Sequence, residues 1–468
     1  MKTLLLLSDG IGLRNFIMTR FTDLLALEGE VTICHTIPES LVQPLQQLND
    51  GTINWLKLPD HQEGHIPYII RRAKILAQLK WQKEPGTEII LEYMDNRVGY
   101  GFRWIKNLIA DLLSDIFCHS SAQVKLLDTW HQHAVKHTKY FREYVSKIKS
   151  MQPDIVFCSH QRSEIAVPIM LAAHELAIPT CTFIYSWDNL PKGRMAVYAD
   201  FYFVWSQHMK DEMLKYYPDV EENQIIIVGT PQFEHYFNPD LIEAREKFLR
   251  QLKLDPNRPV ICFSGDDLTT SPYDPYYLAD LAEALRKQPE NERPQVLFRR
   301  NPTDMSSRYE KVLERYPEIC ISSPEWVALQ NNDWSKVVPT EKDTKLLTNV
   351  VKHCDLVVNV ASTMALDFSI LGKPCVYLFY NPESMDFNNH WSIEKVYQYP
   401  HFNHFNQFNP VYWVHSRDEL SGVILHALQH PQELKEERER WARFLVQTPY
   451  DQASTRCVIA LRDIVRKP

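Results

Sequence analysis

Short apolar runs alternate along this chain with longer segments in which apolar residues recur at helical spacing. A short apolar run bounded by turn residues predicts a buried strand, and helical spacing predicts a helix that covers a sheet. One such helix is "EIAVPIMLAAHELA" (164–177), after which Pro179 restarts the chain as a strand. The alternation predicts parallel sheets with helices on both faces.

The apolar runs fall into two groups, which are separated by a stretch rich in turn residues. That stretch, "GTPQFEHYFNPD" (229–240), is the predicted linker. The predicted strands are 3–8, 31–35, 53–58, 154–159, 180–186, 200–206 and 225–229 in the first group, and 259–264, 295–299, 319–323, 355–360 and 375–379 in the second.

The length of 468 residues exceeds the size at which one hydrophobic core stops growing, so two domains are expected. We predict an α/β protein with two Rossmann-like parallel-sheet domains, 1–235 and 236–435, followed by C-terminal helices in 436–468. Open sheets of this type bind ligands outside the carboxyl ends of their strands, so we expect the two domains to face a cleft.

Composition excludes several classes of function. A net charge of −8 argues against general nucleic-acid binding, which needs a basic surface. The nine cysteines are scattered without a CxxC pair, which favours buried reduced thiols over zinc sites or disulfides. The N-terminal apolar run is too short for a signal peptide and predicts a first strand, and no apolar stretch is long enough to predict a transmembrane helix.

The segment "NVASTMALDFSILGKPCVYL" (359–378) predicts a strand, a turn, a helix and a second strand. Ser362 and Thr363 occupy the turn, where free backbone N–H groups and hydroxyls at a helix N-terminus suit an anion. Asp367 lies about one helical turn further on, where its carboxylate could bind a ribose diol. The alternative is an ordinary N-cap with a surface aspartate.

Two further strand ends in the second half carry polar side chains. Arg299 and Arg300 close the strand of "VLFRRNPTD" (296–304), where a guanidinium group can clamp phosphate, although one of the two is expected to form a surface ion pair. Gly265 and Asp266 follow another strand, which suits close approach to a ligand and equally suits a turn.

Three strand ends in the first half offer candidate bases. "SDGIGLRNF" (8–16) contains Asp9 and a lone GxG, which is compatible with a tight turn and is not a dinucleotide fingerprint. His160 ends a strand and is a candidate general base or a histidine in a surface loop. Asp188 is a candidate catalytic carboxylate or a turn residue.

Two other patterns have ordinary explanations. His133 and His137 are spaced for a shared metal ion, but the glutamate of HExxH is absent, and a polar helix face is the favoured interpretation. The basic amphipathic segment 71–83 suits either a solvated helix face or an anionic membrane.

The segments together resemble the GT-B glycosyltransferase superfamily, in particular bacterial surface-polysaccharide transferases and CDP-glycerol glycerophosphotransferases, and more distantly UDP-N-acetylglucosamine 2-epimerases. The resemblance is carried by "DLVVNVASTMALDFSILGKPCVYL", "FRRNPTD" and "VGTPQFEHY", with "YSWDNLPKGRM" and "DQASTRCVIALRDIV" in support. It covers both predicted domains in order.

The resemblance implies that the second domain binds the nucleotide diphosphate of an activated donor. The residues that it implies for donor binding are Arg300, Ser362, Thr363 and Asp367, to which their position after a strand adds Gly265 and Asp266 as candidates. Asp367 stands where relatives usually have glutamate, and Asn301 replaces the histidine of their Arg-His-Pro run. The final helix is expected to cross back to the first domain.

The activity implied is transfer of a sugar from a nucleotide-sugar co-substrate to a glycan or lipid-linked acceptor, without a metal ion or other cofactor. An inverting reaction needs a base, for which His160, Asp9 and Asp188 are the candidates, whereas a retaining reaction does not. We expect a cytoplasmic enzyme of surface-polysaccharide synthesis, with peripheral membrane contact if its acceptor is lipid-linked. The alternatives are a CDP-glycerol or CDP-ribitol phosphotransferase, a 2-epimerase-like enzyme and a non-catalytic GT-B scaffold.

Overall fold

The apolar runs of the chain form two separate parallel sheets, of seven and six strands. The computed structural model describes residues 1–48, 53–59, 61–95, 101–328, 337–383 and 391–466. The chain divides into a first unit, Met1–Gln232, Tyr399–Asn403 and Leu445–Pro468, and a second unit, Phe233–Gln398 and His404–Phe444.

The sheet of the first unit has the strand order β3-β2-β1-β4-β5-β6-β7, and every pair in it is parallel. Its strands are apolar because helices cover both faces, and β1 has no exposed residue. The strands are β1 (Thr3–Leu7), β2 (Val31–His35), β3 (Ile53–Lys57), β4 (Ile155–Cys158), β5 (Thr180–Phe183), β6 (Phe201–Val204) and β7 (Ile225–Ile227).

The sheet of the second unit has the order β10-β9-β8-β13-β14-β15 and is also parallel, whereas β11 and β12 form a separate antiparallel pair. The strands are β8 (Val260–Ser264), β9 (Gln295–Arg299), β10 (Cys320–Ser322), β11 (Trp326–Ala328), β12 (Val337–Pro339), β13 (Leu356–Asn359), β14 (Cys375–Leu378) and β15 (Tyr412–Val414).

The predicted α/β class with two Rossmann-like sheets is confirmed, and each predicted strand is present with ends that differ by up to three residues. Three further strands, β11, β12 and β15, were not predicted. Each of these has only three residues, which is too short to show the periodicity of a strand.

Helices of the first unit connect its strands, and the chain's last helix joins them. The final helix packs on α2, and its Arg462 lies 3.2 Å from Glu28, so the predicted return of this helix is confirmed. The helices are α1 (Gly10–Gly12), α2 (Phe21–Leu27), α3 (Glu39–Leu48), α4 (His65–Gln82), α5 (Thr87–Asp95), α6 (Phe102–Phe117), α7 (Ser121–Lys136), α8 (Lys139–Met151), α9 (Ala166–Glu175), α10 (Gln207–Tyr216) and α19 (Ala453–Arg466).

The helices of the second unit cover a core that is rich in tyrosine, with Tyr277, Tyr309 and Tyr316 among its fully buried side chains. The helices are α11 (Arg245–Gln251), α12 (Asp274–Arg286), α13 (Glu310–Arg315), α14 (Glu341–His353), α15 (Met364–Ile370), α16 (Ile393–Tyr397), α17 (Leu420–Gln429) and α18 (Lys435–Leu445), the last residue of α18 being assigned to the first unit.

Five helices, α4 to α8, are inserted between β3 and β4 of the first unit. Within this insertion α4 packs against α6 and α7 around a small core of alanines with Val124 and Leu127. Helix α4 contains most of the basic segment 71–83, yet Lys74 and Gln78 on it are buried with its apolar residues. Residues 73, 74 and 76–79 of the segment are thus interior, whereas Arg71, Arg72 and Lys80 are half-buried and Lys83 is exposed.

A buried ionic network ties the insertion to the loop that follows β5. Asp128 on α7 accepts hydrogen bonds from Lys74 Nζ at 3.0 Å and from Arg194 Nε at 2.7 Å. Lys74 also donates to the backbone oxygen of Ala196 at 2.6 Å. All three charged side chains are almost fully buried, so each cation depends on the single carboxylate between them.

Replacing that carboxylate should strongly destabilise the protein. We expect Asp128→Ala to lower the free energy of unfolding by about 3–5 kcal/mol in urea denaturation, because two buried cations lose their counter-charge. Asp115→Ala is the control, since Asp115 pairs with Lys80 in an exposed ion pair and should cost less than about 1 kcal/mol. Equal losses in the two variants would contradict the assignment of the network.

Candidate functional site

Each sheet has one point at which its strand order reverses, between β1 and β4 in the first unit and between β8 and β13 in the second. Ligands of open α/β sheets bind outside the carboxyl ends of the strands at such a point. Asp9 and His160 follow β1 and β4, whereas Gly265 and Ser362 closely follow β8 and β13. Most of the predicted site residues therefore lie at the two reversal points.

Asp9 caps the short helix that begins immediately after β1. Its carboxylate accepts hydrogen bonds from the backbone N–H groups of Ile11 at 3.0 Å and Gly12 at 2.8 Å. A side chain at Gly12 would place its Cβ 2.8 Å from Ser159 Oγ. The lone GxG is thus explained by close packing of the loops after β1 and β4, as expected for a tight turn.

His160 and Asp9 form a hydrogen-bonded dyad, with His160 Nδ1 2.8 Å from Asp9 Oδ2. The imidazole ring also stacks on Tyr185, with 4.3 Å between ring centroids. Burial alone would raise the pKa of Asp9. The hydrogen bond and charge of His160 and the two backbone N–H groups outweigh burial, so the net effect lowers the pKa and the carboxylate is ionised.

An ionised Asp9 fixes the tautomer of the imidazole. Because the carboxylate can only accept, His160 Nδ1 must carry the proton and donate it. When the ring is neutral, the lone pair lies on Nε2, for which the described part of the chain provides no hydrogen-bond partner. The arrangement can remove a proton from a bound hydroxyl group, which is what a general base does.

Asp188 is placed differently from the dyad. Its carboxylate accepts from Lys192 Nζ and from Asn189 Nδ2, the latter at 3.1 Å. Burial raises the pKa of Asp188, but the charges of Lys192 and His401 and the hydrogen bond from Lys192 outweigh it and hold the pKa far below its usual range. Such a carboxylate takes up a proton poorly at neutral pH, so this geometry favours a structural role.

Glu212 on α10 is a largely buried acid that no sequence motif predicts. Its side chain contacts His208 at 3.5 Å, and its other oxygen is buried without a hydrogen-bond partner. Burial, with a smaller contribution from the charge of Asp188, raises the pKa of Glu212 to about 8. The spacing of Met209, Met213 and Tyr216, which marks the buried face of α10, could have indicated its position.

The two arginines at the end of β9 have different environments. Arg299 is buried and donates to both carboxylate oxygens of Asp343, at 3.0 and 3.1 Å. Arg300 is half-buried, lies 5.3 Å from the ring centroid of Tyr309 and donates to the backbone oxygen of Ser306. The expected ion pair is thus formed by Arg299, but it is buried rather than on the surface. Arg300 has only a longer contact, 4.0 Å from Asp304, and is therefore the better candidate for binding an anion.

Gly265 and Asp266 follow β8 next to this arginine strand. A Cβ at Gly265 would lie 2.8 Å from Tyr309 Oη. Packing against Tyr309 therefore explains the glycine without the close approach of a ligand. The half-buried Asp266 has its pKa raised by burial and by the neighbouring Asp267 and Asp274 carboxylates. A protonated Asp266 could donate a hydrogen bond to a ligand oxygen.

Ser362 and Thr363 lie in the turn between β13 and α15. Ala361 before them adopts a left-handed conformation, with φ of +53°, in which a non-glycine residue is strained. The exposed side chain of Thr363 accepts no N-cap hydrogen bond from α15, and Ser362 Oγ accepts only a long one, at 3.5 Å from the Met364 nitrogen. The capping alternative is therefore weakly supported, because neither hydroxyl forms a short hydrogen bond to the first turn of α15.

Asp367 hydrogen-bonds to Tyr236, a residue of the predicted linker. Its Oδ1 accepts from the buried hydroxyl of Tyr236 at 2.5 Å. A carboxylate has about four acceptor positions, so this bond does not exhaust Asp367. No local pattern could have indicated the pairing, because the two residues are 131 positions apart.

The spaced histidine pair and the question of a membrane-spanning helix concern surface features of the chain. His133 and His137 are exposed on and just after α7, as expected for a polar helix face, and no group of three potential metal-ligating side chains occurs among the described residues. Across those same residues, no helix combines the length and apolar character that crossing a bilayer requires.

The pKa of Glu212 predicts a pH-dependent stability. Because its folded pKa of about 8 exceeds its ordinary 4.5, the stabilisation is full below the ordinary value and is lost as pH rises through about 8. We expect the wild type to lose stability relative to Glu212→Gln between about pH 5 and about pH 9, measured by urea denaturation. Glu222→Gln, at an exposed position, should not change the pH dependence, and parallel profiles for all three proteins would contradict the prediction.

By sequence the chain matches no known protein family, and a search of curated proteins finds no relative. Similarity appears instead among solved structures. A candidate UDP-N-acetylglucosamine 2-epimerase from Listeria monocytogenes aligns with a TM-score of 0.55 at 11% identity, over 99% of this chain and 96% of that one. A glycosyltransferase from Rickettsia africae aligns with a TM-score of 0.51 at 11% identity, over 100% of this chain and 99% of that one.

A third structure, MnaA of S. aureus with UDP, aligns with a TM-score of 0.51 at 10% identity, over 100% of this chain and 98% of that one. Identities this low establish the fold and not the reaction. Glycosyltransferases and 2-epimerases share the two-sheet architecture found here. The chain therefore has the GT-B fold.

Proposed function

We propose that this chain is a GT-B glycosyltransferase that moves a sugar from a nucleotide-activated donor to a glycan or lipid-linked acceptor. The reaction would proceed without a metal ion, on the cytoplasmic side of a membrane, in the synthesis of a surface polysaccharide. The observation that carries the proposal is the Asp9–His160 dyad at the reversal point of the first sheet.

The dyad supports an inverting transfer. His160 Nε2 would accept the proton of the acceptor hydroxyl while that oxygen bonds to the anomeric carbon of the donor sugar and the bond to the diphosphate breaks. Asp9 would hold the ring in the tautomer that exposes Nε2 and would stabilise the imidazolium that forms. Its hydrogen bond to the ring and its two backbone hydrogen bonds support this positioning role.

Residues at the carboxyl edge of the second sheet would bind the donor. The half-buried guanidinium of Arg300 would balance the charge of the departing diphosphate, and the hydroxyls of Ser362 and Thr363 would donate to its oxygens. Asp367, already bonded to Tyr236, would accept from a ribose hydroxyl, and Asp266 would line the same edge. All five residues belong to the predicted donor set, and they follow three neighbouring strands, β9, β8 and β13.

A 2-epimerase is the second candidate, because proteins described as UDP-N-acetylglucosamine 2-epimerases share the fold. Such an enzyme would convert UDP-N-acetylglucosamine without any acceptor. A CDP-glycerol or CDP-ribitol phosphotransferase and a non-catalytic scaffold are further alternatives. Mass spectrometry after incubation with UDP-, GDP-, CDP- and CMP-activated donors, with and without an acceptor, separates the enzymes from each other and from the scaffold.

Donor binding is tested by calorimetry with nucleoside diphosphates. We expect Arg300→Ala and Ser362→Ala each to weaken binding of the preferred nucleotide by about 1–3 kcal/mol, the usual loss for a hydrogen bond to a charged group. Arg250→Ala is the matched control, since Arg250 is exposed on α11 and paired with Glu246. Unchanged affinity in both site variants would refute the donor assignment.

The dyad is tested by turnover measured beside nucleotide affinity. We expect His160→Ala to lower kcat by about a hundredfold to ten thousandfold, the usual contribution of a general base, while nucleotide affinity stays the same. Asp9→Asn should also lower kcat, because its amide can reverse the preferred tautomer of the ring. His133→Ala, an exposed histidine on α7, should behave as wild type, and full turnover by His160→Ala would exclude the base.

A further inference from the structure

Helix α6 turns its apolar side chains toward solvent. The outward side chains recur at helical spacing along the full length of the helix, and between 41% and 61% of each is exposed. We call this set the α6 apolar face; it consists of Phe102, Trp104, Ile105, Leu108, Ile109, Leu112 and Ile116. A helix that packs on a soluble core normally shows the opposite arrangement.

The inward side of α6 is small and polar, and specific hydrogen bonds hold it in place. Asn107, Ala110 and Ser114 are its buried residues. Tyr68 Oη donates to Asn107 Oδ1 at 2.9 Å, and Lys80 Nζ donates to Ser114 Oγ at 2.7 Å. Rotating α6 to bury its apolar residues would break both bonds, so the outward orientation is built into the packing with α4.

Helix α7 extends the apolar surface. Leu126 and Trp130 on it are each about two-fifths exposed, and the Trp130 ring lies 5.0 Å from that of Phe117 at the end of α6. Isolated exposed apolar residues are ordinary, but a contiguous set of this kind marks an interaction surface.

The net charge of the inserted helices indicates which kind of partner this surface binds. Residues 65–151, which contain the inserted helices, hold 14 Lys and Arg against 8 Asp and Glu, a net charge of +6 in a chain whose net charge is −8. A second copy would bring two basic insertions together, which is unfavourable, whereas an anionic surface complements them. On α6 itself the basic residues lie in the N-terminal half, where Lys106 is 5.7 Å from the ring centroid of Phe102 and Arg103 is exposed. The C-terminal half carries Asp111 and Asp115, so we expect the N-terminal half to meet the anionic surface.

We propose that the α6 apolar face docks on an anionic lipid bilayer. Apolar side chains on a helix that lies in the plane of the interface enter the acyl boundary, while tryptophan and basic residues stay at the level of the head groups. Anionic lipids attract the net positive charge of the insertion. The proposal assigns a surface to the membrane contact expected for a lipid-linked acceptor, and in that respect rests on the proposed function.

The test is co-sedimentation of the full chain with vesicles of phosphatidylcholine and phosphatidylglycerol in about 7:3 proportion. We expect binding to these vesicles and at least about tenfold weaker binding to phosphatidylcholine alone. The double variant Ile105→Glu/Leu112→Glu should reduce binding at least about tenfold, because two carboxylates would enter the apolar boundary. Both positions are exposed, so the variant should fold, as judged by an unchanged melting temperature.

Leu27→Glu is the matched control, because Leu27 is 84% exposed at the end of α2 and lies outside the α6 apolar face. It should bind vesicles as the wild type does. Absence of vesicle binding by the wild type, or equal binding by the double variant, would overturn the proposal. A dimer in sedimentation velocity that the double variant converts to a monomer would also overturn it, by assigning the face to a second copy.

Vesicle binding and nucleotide binding are measured separately. If the wild type binds vesicles but no nucleotide, the proposed reaction is refuted and the membrane surface stands. If it binds a nucleotide but no vesicles, the membrane surface is refuted and the proposed reaction stands.

Discussion

Parallel strands present all of their carboxyl ends at one edge of a sheet, because each crossover returns the chain to the opposite edge before the next strand begins. Both sheets of this protein obey this constraint, and both reverse their strand order once. Loops that are far apart in sequence consequently meet at the reversal points. The dyad of the first unit and the arginine, serine and aspartate positions of the second unit depend on this geometry.

The dyad shows how local and distant interactions combine at such an edge. Asp9 is held by two backbone N–H groups from its own turn, and it holds a histidine that lies 151 positions later, just after β4. Burial of a carboxylate is unfavourable, but these hydrogen bonds and the imidazole offset it and leave Asp9 ionised. The same side chain therefore caps a helix and fixes a tautomer.

The inserted helices have polar groups in their interior and apolar side chains on their outer surface. Their interior contains an ion network around Asp128 and hydrogen bonds to Asn107 and Ser114, whereas larger apolar side chains of α6 face outward. Polar groups in an interior must be paired, and here the pairing fixes which side of each helix is buried. The outward apolar surface is thus a consequence of specific packing and not of a poorly formed core.

Much of the fold could be predicted from the sequence, because strands and helices reveal themselves through local periodicity. The twelve long apolar runs all became strands, whereas β11, β12 and β15 were too short to be recognised. The candidate positions at strand ends were also predictable, since the carboxyl edge of a parallel sheet is a consequence of its topology. Their partners were not, as Tyr236 with Asp367 and Arg299 with Asp343 illustrate.

The sequence by itself determined the alternation of strands and helices, the two-sheet class and the loops that carry polar side chains. Only the tertiary structure decided that His160 pairs with Asp9, that Arg299 is buried while Arg300 is not, and that α6 faces outward. Periodicity records what lies one or two helical turns away. Pairing and burial depend on elements that lie between 34 and 151 positions apart in the chain, and no local pattern carries that information.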